Sequence, residues 1–183
     1  MFHRILDEAI QELKESEFSD VFQMDQPQHF IRDCVIESDM EILLPPDYVD
    51  APSKRISLYN ELDNIGKEEL LQKFTERLID QFGPVPRQAA DLINTIRLRW
   101  IARDLGFEKI ILRNKTLIGY FVSDSQSAYY QTERFTNILK FLQANPKSCR
   151  IKESNDKLML YITNVHHVND ALRVLQQLLD FRA

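Results

Sequence analysis

The chain has 183 residues, enough for one large domain or two small ones with a sizeable hydrophobic core. Its hydrophobic fraction of 44% and charged fraction of 28% are ordinary for a globular protein, and no apolar run approaches the ~20 residues that a membrane span needs. The two cysteines, Cys34 and Cys149, form no Cys-x-x-Cys motif, so the sequence predicts neither a disulfide framework nor a zinc site and favours the cytoplasm.

The net charge of −5 is divided unevenly along the chain. Residues 1–85 contain 8 Lys+Arg and 19 Asp+Glu, a net charge of −11, whereas residues 86–183 contain 15 and 9, a net charge of +6. Such asymmetry concerns association more than fold. The acidic half is suited to meeting a basic protein surface, and a solvated acidic face without a partner is the alternative.

The first 44 residues predict one helix and two short strands. Apolar residues at helical spacing indicate an amphipathic helix over residues 2–15, which begins without an N-cap residue. Residues 17–28 are polar and read as a connecting loop. Residues 33–37 and 40–44 are strand candidates, and Pro45-Pro46 ends the second.

Three helices follow, over residues 52–64, 67–82 and 86–105. In the second helix an apolar residue recurs at every fourth position, which predicts one buried face; these residues are Leu70, Phe74, Leu78 and Phe82. Gly83 can adopt the left-handed conformation that ends a helix, and Pro86 suits the first turn of the next. The joint at 82–83 therefore fixes the angle between two helices.

The carboxy-terminal part contains a repeated pattern. Strands over 109–113 and 116–122 are joined by Asn114-Lys115, a short sequence that suits a tight hairpin turn, and a helix follows. Residues 150–162 align with 109–121 at a constant offset of 41. We therefore predict two β-hairpin–helix units over 107–183, which form a four-stranded antiparallel sheet with helices against one face. With the helical amino-terminal half, the fold class is α+β.

The sequence contains no motif of enzyme chemistry. None of the four glycines belongs to a phosphate-binding loop, so we expect no ATP or other cofactor to bind this chain. His166 and His167 are adjacent, so their side chains would diverge by roughly 100° on a helix, which disfavours a metal site. A free-standing small enzyme would lack any site that we can name.

Two groups of charged residues are candidate binding sites. Arg97, Arg99 and Arg103 could contact phosphates of a nucleic acid, or could be an exposed basic stripe beside a buried Trp100. Glu76 and Asp80 lie near the end of the 67–82 helix, where negative charge opposes the helix dipole. They could contact another protein or could pair within the fold with Arg77 or Arg87.

Four segments in register carry a family resemblance. They are residues 43–49 (LLPPDYV), 55–59 (RISLY), 78–86 (LIDQFGPVP) and 102–109 (ARDLGFEK). Together they resemble the carboxy-terminal domain of the bacterial transcription-repair coupling factor family (Mfd). On this resemblance residues 1–30 would be a helix and linker from an upstream motor domain, and residues 31–183 would be a carboxy-terminal regulatory domain.

The resemblance implies a non-catalytic part of a cytoplasmic, ATP-driven DNA translocase that removes stalled RNA polymerase and recruits nucleotide-excision repair through UvrA. ATP and Mg²⁺ would bind the upstream motor, and DNA would be contacted only through the full-length protein. In the family this domain docks on the UvrA-binding module of the same protein and masks it until RNA polymerase is engaged.

The implied masking contact uses two acids three residues apart, just before the Phe-Gly at the helix end. Asp80 matches the second acid and precedes Phe82, but Arg77 occupies the position of the first. Either Glu76 substitutes for the missing acid or the contact is built differently here. The candidate contact residues are therefore Glu76, Arg77, Asp80 and Phe82.

Overall fold

A computed structural model describes residues 30–182, in which one α+β fold contains five α-helices, one short 3-10 helix (Ala128–Gln131) and five strands. The helices are α1 (Pro52–Asp63), α2 (Glu68–Phe82), α3 (Arg87–Leu105), α4 (Glu133–Ala144) and α5 (Val168–Asp180). The strands are β1 (Val35–Ser38), β2 (Phe107–Arg113), β3 (Thr116–Phe121), β4 (Cys149–Ser154) and β5 (Lys157–Thr163). None of these five helices is both long and apolar enough to cross a bilayer. The helix expected at 2–15 and the loop at 17–28 lie outside the described residues.

The sheet has the strand order β1-β2-β3-β5-β4. The four strands of the two hairpins are antiparallel to one another, which confirms the predicted arrangement. The predicted total of four strands is too low, because β1 adds a fifth strand that pairs parallel to β2, with Val35 opposite Lys109. About 70 residues separate these two strands in the sequence. No local pattern signals so distant a pairing.

The strand predicted at residues 40–44 is wrong. The chain has no strand there, and β1 is the only short strand of the described amino-terminal half. The Leu44 side chain is buried, and its backbone N–H donates to the Tyr59 hydroxyl at 2.8 Å instead of to a neighbouring strand. Alternating apolar residues thus mark a segment that packs through individual side chains and not through strand pairing.

The two hairpins have the same turn, as the offset of 41 predicts. Asn114 and Lys115 have φ of 53° and 58°, and the aligned Asn155 and Asp156 have φ of 53° and 61°. Positive φ at both central residues gives a turn whose twist matches that of the flanking strands, and Asn and Asp tolerate this conformation. The repeat prediction is confirmed at the level of the backbone.

Helix α3 connects two hydrophobic cores. Its first half contributes Ala89, Ile93 and Ile96 to a helical core, which also contains buried residues of α1 and α2. Its second half contributes Leu98, Ala102 and Leu105 to a sheet core, which lies between one face of the sheet and α3, α4 and α5. Because both ends of α3 are buried against different layers, this helix fixes how the two cores sit together.

The buried face of α2 differs from the predicted one. Leu71, Phe74 and Leu78 are buried, whereas Leu70 is 48% exposed and Phe82 is partly exposed. A step of four residues advances ~40° beyond a full helical turn, so a set spaced by four drifts off any single face. Leu71 takes the position that was predicted for Leu70.

Candidate functional site

The carboxy-terminal end of α2 is held by the loop that precedes α1. Gly83 has a φ of 85° and donates its N–H to the Ile79 carbonyl oxygen at 2.9 Å, which ends the helix. The Tyr48 hydroxyl donates to the carbonyl oxygens of Gly83 at 2.9 Å and Leu78 at 3.3 Å. Burial raises the pKa of Tyr48, which keeps the hydroxyl protonated as a donor. Sequence reasoning did not identify this role of Tyr48.

The Phe82 ring packs at the carboxy-terminal end of α2. The ring centroid of Phe82 lies 5.7 Å from the ring centroid of Tyr48. The Lys54 ammonium lies 4.8 Å from the same Phe82 centroid. A cation over an aromatic face is attracted by the electron density of the ring. Phe82 is therefore in contact with Lys54 on α1 and with Tyr48 in the loop that precedes α1.

Glu76 and Asp80 are exposed near the end of α2. Neither carboxylate has a hydrogen-bond or ion-pair partner among residues 30–182. Arg87, one suggested internal partner, lies 4.0 Å from Asp91 and 2.6 Å from Nδ1 of His167. The last turn of α2 contains no basic residue, so the negative charge of Asp80 in that turn opposes the helix dipole without compensation there.

Arg77, the other suggested partner, turns away from these acids. Its Nη2 donates to Oε1 of Glu61 on α1, and its guanidinium lies 5.6 Å from the ring centroid of Phe74. The residue at the position where the family contact would have its first acid is therefore neutralised within the fold. It joins α1 to α2, and the nearby surface keeps its negative charge.

Ile79 is an apolar residue on this acidic surface, and the sequence analysis did not single it out. Its side chain is 46% exposed, and it lies three residues after Glu76 and directly before Asp80. The preceding residue, Leu78, is buried. Two adjacent apolar residues do not by themselves indicate which of them faces the core. The sequence signal that could have indicated the exposure of Ile79 is its position outside the buried face formed by residues 71, 74 and 78. We call Glu76, Ile79 and Asp80 the acidic corner.

The three candidate arginines in the second half of α3 each lie near a carboxylate. Arg97 donates through Nε and Nη2 to the carboxylate of Glu68 on α2, at distances of 2.7 to 3.2 Å. Nε of Arg103 lies 3.8 Å from Oδ1 of Asp104. The hydrogen bond from Arg97 lowers the pKa of Glu68 more than any other cause, so this pair is ionised over a wide pH range.

Arg99 binds two segments at once. Its Nη1 lies 3.1 Å from Oδ1 of Asp63, at the end of α1, and its Nε lies 3.5 Å from Oδ1 of Asp33, just before β1. Its side chain is only 21% exposed. Arg99 therefore fastens the helical core to the edge of the sheet, and it lines a groove of about 490 Å³ between them together with Cys34.

The two cysteines are unsuited to nucleophilic chemistry. Burial, with the Asp33 carboxylate as a second cause, raises the pKa of Cys34 to about 12, and burial also raises the pKa of Cys149. A thiol with so high a pKa contains little of the reactive thiolate at neutral pH. Within residues 30–182 no three His, Cys, Asp or Glu side chains are grouped so as to hold a metal ion.

The segment that contains the corner and the arginines matches a known family. The sequence model of the TRCF domain matches residues 38–132, which are 95 of the 183 residues. The chain belongs to the TRCF domain family. All of the candidate site residues, from Glu76 to Arg103, lie within the matched segment of this TRCF domain.

Relatives of the TRCF domain include proteins of several bacteria. The chain is 22% identical over 181 residues to the transcription-repair-coupling factor of Rickettsia typhi, a match that covers 98% of this chain and 15% of that protein. It is 35% identical over 75 residues to the transcription-repair-coupling factor of Escherichia coli K12, which covers 41% of this chain and 6% of that protein. The chain thus spans about 15% of the length of the first of these relatives.

A solved structure has the same fold. The crystal structure of the C-terminal domain of a transcription-repair coupling factor superposes with a TM-score of 0.63 at 15% sequence identity, covering 81% of this chain and 94% of that chain. The recognition made from the four sequence segments is therefore confirmed, as is the α+β fold of a TRCF C-terminal domain.

Proposed function

We propose that this TRCF domain is a non-catalytic, autoinhibitory module of a transcription-repair coupling factor. In the docked state its acidic corner contacts a basic and partly apolar surface of the UvrA-binding module of the same protein. Docking masks that module and restrains the upstream motor until RNA polymerase is engaged. Release exposes the surface that UvrA binds.

The observation that carries this proposal is the state of Glu76 and Asp80. Both carboxylates are exposed and unpaired among the described residues, and Asp80 lies in the last helical turn, which disfavours negative charge. Exposed Ile79 lies between them and offers an apolar contact in the same patch. Acids that the fold itself does not use, beside an exposed isoleucine, are suited to an intermolecular or interdomain contact.

The position of Arg77 supports the same arrangement. Because Arg77 is bound to Glu61, it does not neutralise the corner, and Glu76 can supply the acid that the family resemblance places at position 77. The contact would then use acids four residues apart on one helix face instead of three. We propose that the docking surface is kept and that one of its ion pairs is shifted by one residue.

The energetics require more than ion pairs. Exposed ion pairs stabilise a complex by roughly 0–1 kcal/mol each, so two acids would give a weak contact. Burial of Ile79 and tethering within one polypeptide, which supplies a high effective concentration, would add to it. A clasp of this moderate strength can be opened by a competing partner, as a population shift requires.

The test is Asp80→Lys in the full-length protein. Reversing a charge in the docked contact should shift the equilibrium toward the open state by about 1–2 kcal/mol, which is roughly a five- to thirty-fold change in the docking constant. We expect UvrA binding and basal ATPase activity both to rise. In a separate titration, the 183-residue chain with Asp80→Lys should bind the isolated UvrA-binding module more weakly by the same factor.

Glu69→Lys is the matched control, because it makes the same charge change on an exposed acid at the opposite end of α2. We expect it to leave UvrA binding and ATPase activity within two-fold of the unmodified protein. Ile79→Ser should reproduce the Asp80→Lys phenotype without a change in charge. If Asp80→Lys and Ile79→Ser both behave like the control, the acidic corner is not the docking surface.

The second function considered from the sequence, nucleic-acid binding through Arg97, Arg99 and Arg103, has less support. Each of these guanidinium groups lies near a carboxylate of the same chain. A phosphate would have to displace those carboxylates and weaken the junction between the two cores. Titration of the chain with duplex DNA at low and moderate salt tests this alternative directly.

A further inference from the structure

The sheet has a second face that takes part in neither hydrophobic core. Two rows of side chains cross its strands on that face, as the pairing register defines. The first row is Val35, Lys109, Tyr120, Met159 and Lys152. The second row is Glu37, Ile111, Ile118, Tyr161 and Arg150. None of these ten residues is a member of either core cluster of the described residues, although Met159 in the middle of the first row is itself only 8% exposed. We call these ten residues the open face.

The composition of the open face is aromatic, apolar and basic. It holds three cations, Lys109, Arg150 and Lys152, against one carboxylate, Glu37, which lies 3.0 Å from Lys109. Arg113 continues the same side of β2 one row further on. The protein as a whole is acidic, with a net charge of −5, so this positive face stands out from the average surface.

The tyrosines of the open face differ from the others in the chain. Four of the six tyrosines have hydroxyl groups that are hydrogen-bonded within the fold, namely Tyr48, Tyr59, Tyr129 and Tyr130. Tyr120 and Tyr161 have no hydroxyl partner among residues 30–182 and are partly exposed. They lie on neighbouring strands at diagonal positions, because Tyr120 pairs with Met159, two residues before Tyr161. Diagonal neighbours in a sheet are separated by ~7–8 Å.

We propose that the open face binds single-stranded nucleic acid. Two partly exposed rings on adjacent strands form a platform on which successive bases can stack, and stacking tolerates any base because every base has a flat face. Lys152 and Arg150 lie at one end of the two rows and Lys109 near the other, so cations flank the rings where a phosphate backbone would run. Apolar side chains between them, such as Ile118, complete a surface that a polyanion without bases would not need.

The lysines already contact the rings. The ammonium of Lys152 lies 4.6 Å from the ring centroid of Tyr161. The ammonium of Lys109 lies 5.9 Å from the ring centroid of Tyr120. Lys152 is exposed, and its side chain has four rotatable bonds, so its ammonium can move from the ring to a phosphate while the ring accepts a base. Duplex DNA keeps its base faces covered, so the tyrosines favour single strands over duplexes.

The experiment is a titration of the 183-residue chain with a fluorescent 12-residue oligothymidine, followed by anisotropy at several salt concentrations. We expect binding that weakens with salt, with a log–log slope of about −1.4 if Arg150 and Lys152 neutralise two phosphates at roughly 0.7 each. The slope should approach about −2 if Lys109 leaves Glu37 and neutralises a third phosphate. A duplex of equal length should bind at least about five-fold more weakly. Oligouridine serves as a second arm, and binding of oligouridine as tight as that of oligothymidine also supports the proposal.

Four variants locate the site. Lys152→Glu should weaken binding about ten-fold, and Tyr161→Leu should weaken it about five-fold or more at every salt concentration. Glu37→Gln, which removes the only acid of the open face, should strengthen binding. Lys140→Glu makes the same charge change as Lys152→Glu on an exposed residue of α4, in the layer on the opposite side of the sheet, and should stay within two-fold. Thermal unfolding identifies any variant whose fold is lost.

The proposal is wrong if Lys152→Glu and Lys140→Glu bind the oligonucleotide equally, or if the duplex binds more tightly than the single strand. It is also wrong if sedimentation shows a dimer that Lys152→Glu dissociates, because the face would then join two copies of the chain. Carbodiimide crosslinks from Lys152 to acids of residues 1–29 that persist in excess oligonucleotide would likewise assign the face to the chain itself. Asp80→Lys, which tests the acidic corner, should leave oligonucleotide binding unchanged, so the two proposals fail independently.

Discussion

Helices α2 and α3 each carry a group of like charges at helical spacing, and the structure uses the two groups in opposite ways. Arg97 and Arg99 on α3 are bound to Glu68, Asp63 and Asp33, and these contacts connect α3 to α2, to α1 and to the edge of the sheet. Glu76 and Asp80 on α2 have no such partner among the described residues. Paired charges contribute to the junction between the cores, whereas unpaired charges remain available for a partner. The difference lies in the neighbours and not in the charges themselves.

The largest effect on stability should come from Arg99→Ala. The substitution removes contacts with two carboxylates and the packing of a side chain that is only 21% exposed. Because Asp33 and Asp63 are about two-thirds exposed and stay solvated, we expect a loss of only about 1–2 kcal/mol, measured by urea unfolding. Arg113→Ala, at an exposed arginine, should stay within ~0.5 kcal/mol. Equal losses for both variants would mean that Arg99 does not fasten the two cores.

A smaller effect is expected for the Arg97–Glu68 pair. A double-mutant cycle with Arg97→Ala and Glu68→Ala should give a coupling free energy of roughly 0.5–1 kcal/mol. The value is small because both side chains are partly exposed, and it is not zero because Arg97 donates to both carboxylate oxygens of Glu68. The equivalent cycle between Glu76 and Arg77 should give no coupling, because Arg77 is bound to Glu61. Coupling between Glu76 and Arg77 and none between Arg97 and Glu68 would contradict the conclusion that the α3 arginines are paired and the α2 acids are not.

The same pair predicts a dependence of stability on pH. The hydrogen bond from Arg97 lowers the folded-state pKa of Glu68, so the associated stability is fully present above the ordinary value of 4.5. It is lost as the pH falls below 4.5 and through the lowered pKa. Glu68→Gln should therefore reduce the slope of unfolding free energy against pH in this range. If Glu68→Gln keeps the slope of the unmodified chain, the Arg97–Glu68 pair does not contribute to the pH dependence.

The smallest effect should be a gain. Asp80→Asn removes a negative charge from the last turn of α2, where no basic residue compensates it, and should stabilise the isolated chain by about 0.3–0.5 kcal/mol at low salt. High salt should abolish this gain because the charge is exposed. A loss of stability would show that Asp80 has a favourable contact within the chain, contrary to its availability for docking.

Local patterns predicted most elements of the fold, for reasons that particular residues illustrate. The ends of α2 and α3 follow from Gly83 and Gly106, whose φ values of 85° and 98° are strained for other residues. The two hairpin turns follow from Asn114 and Asn155. The errors arose where contacts are distant. Leu44 was assigned to a strand although its N–H bonds to Tyr59, and the pairing of β1 with β2 crosses three helices.

The sequence by itself determined the family, the α+β class, the repeated hairpin units and the position of the acids at the end of α2. These features depend on residue types and on spacings of a few residues, which determine local backbone structure directly. Only the tertiary structure decided which charges are paired, that Ile79 is exposed beside Leu78, and that Tyr120 and Tyr161 share an open sheet face. Those properties depend on which segments distant in the chain become neighbours, and a partner 30 or 80 residues away leaves no mark on the spacing around a residue.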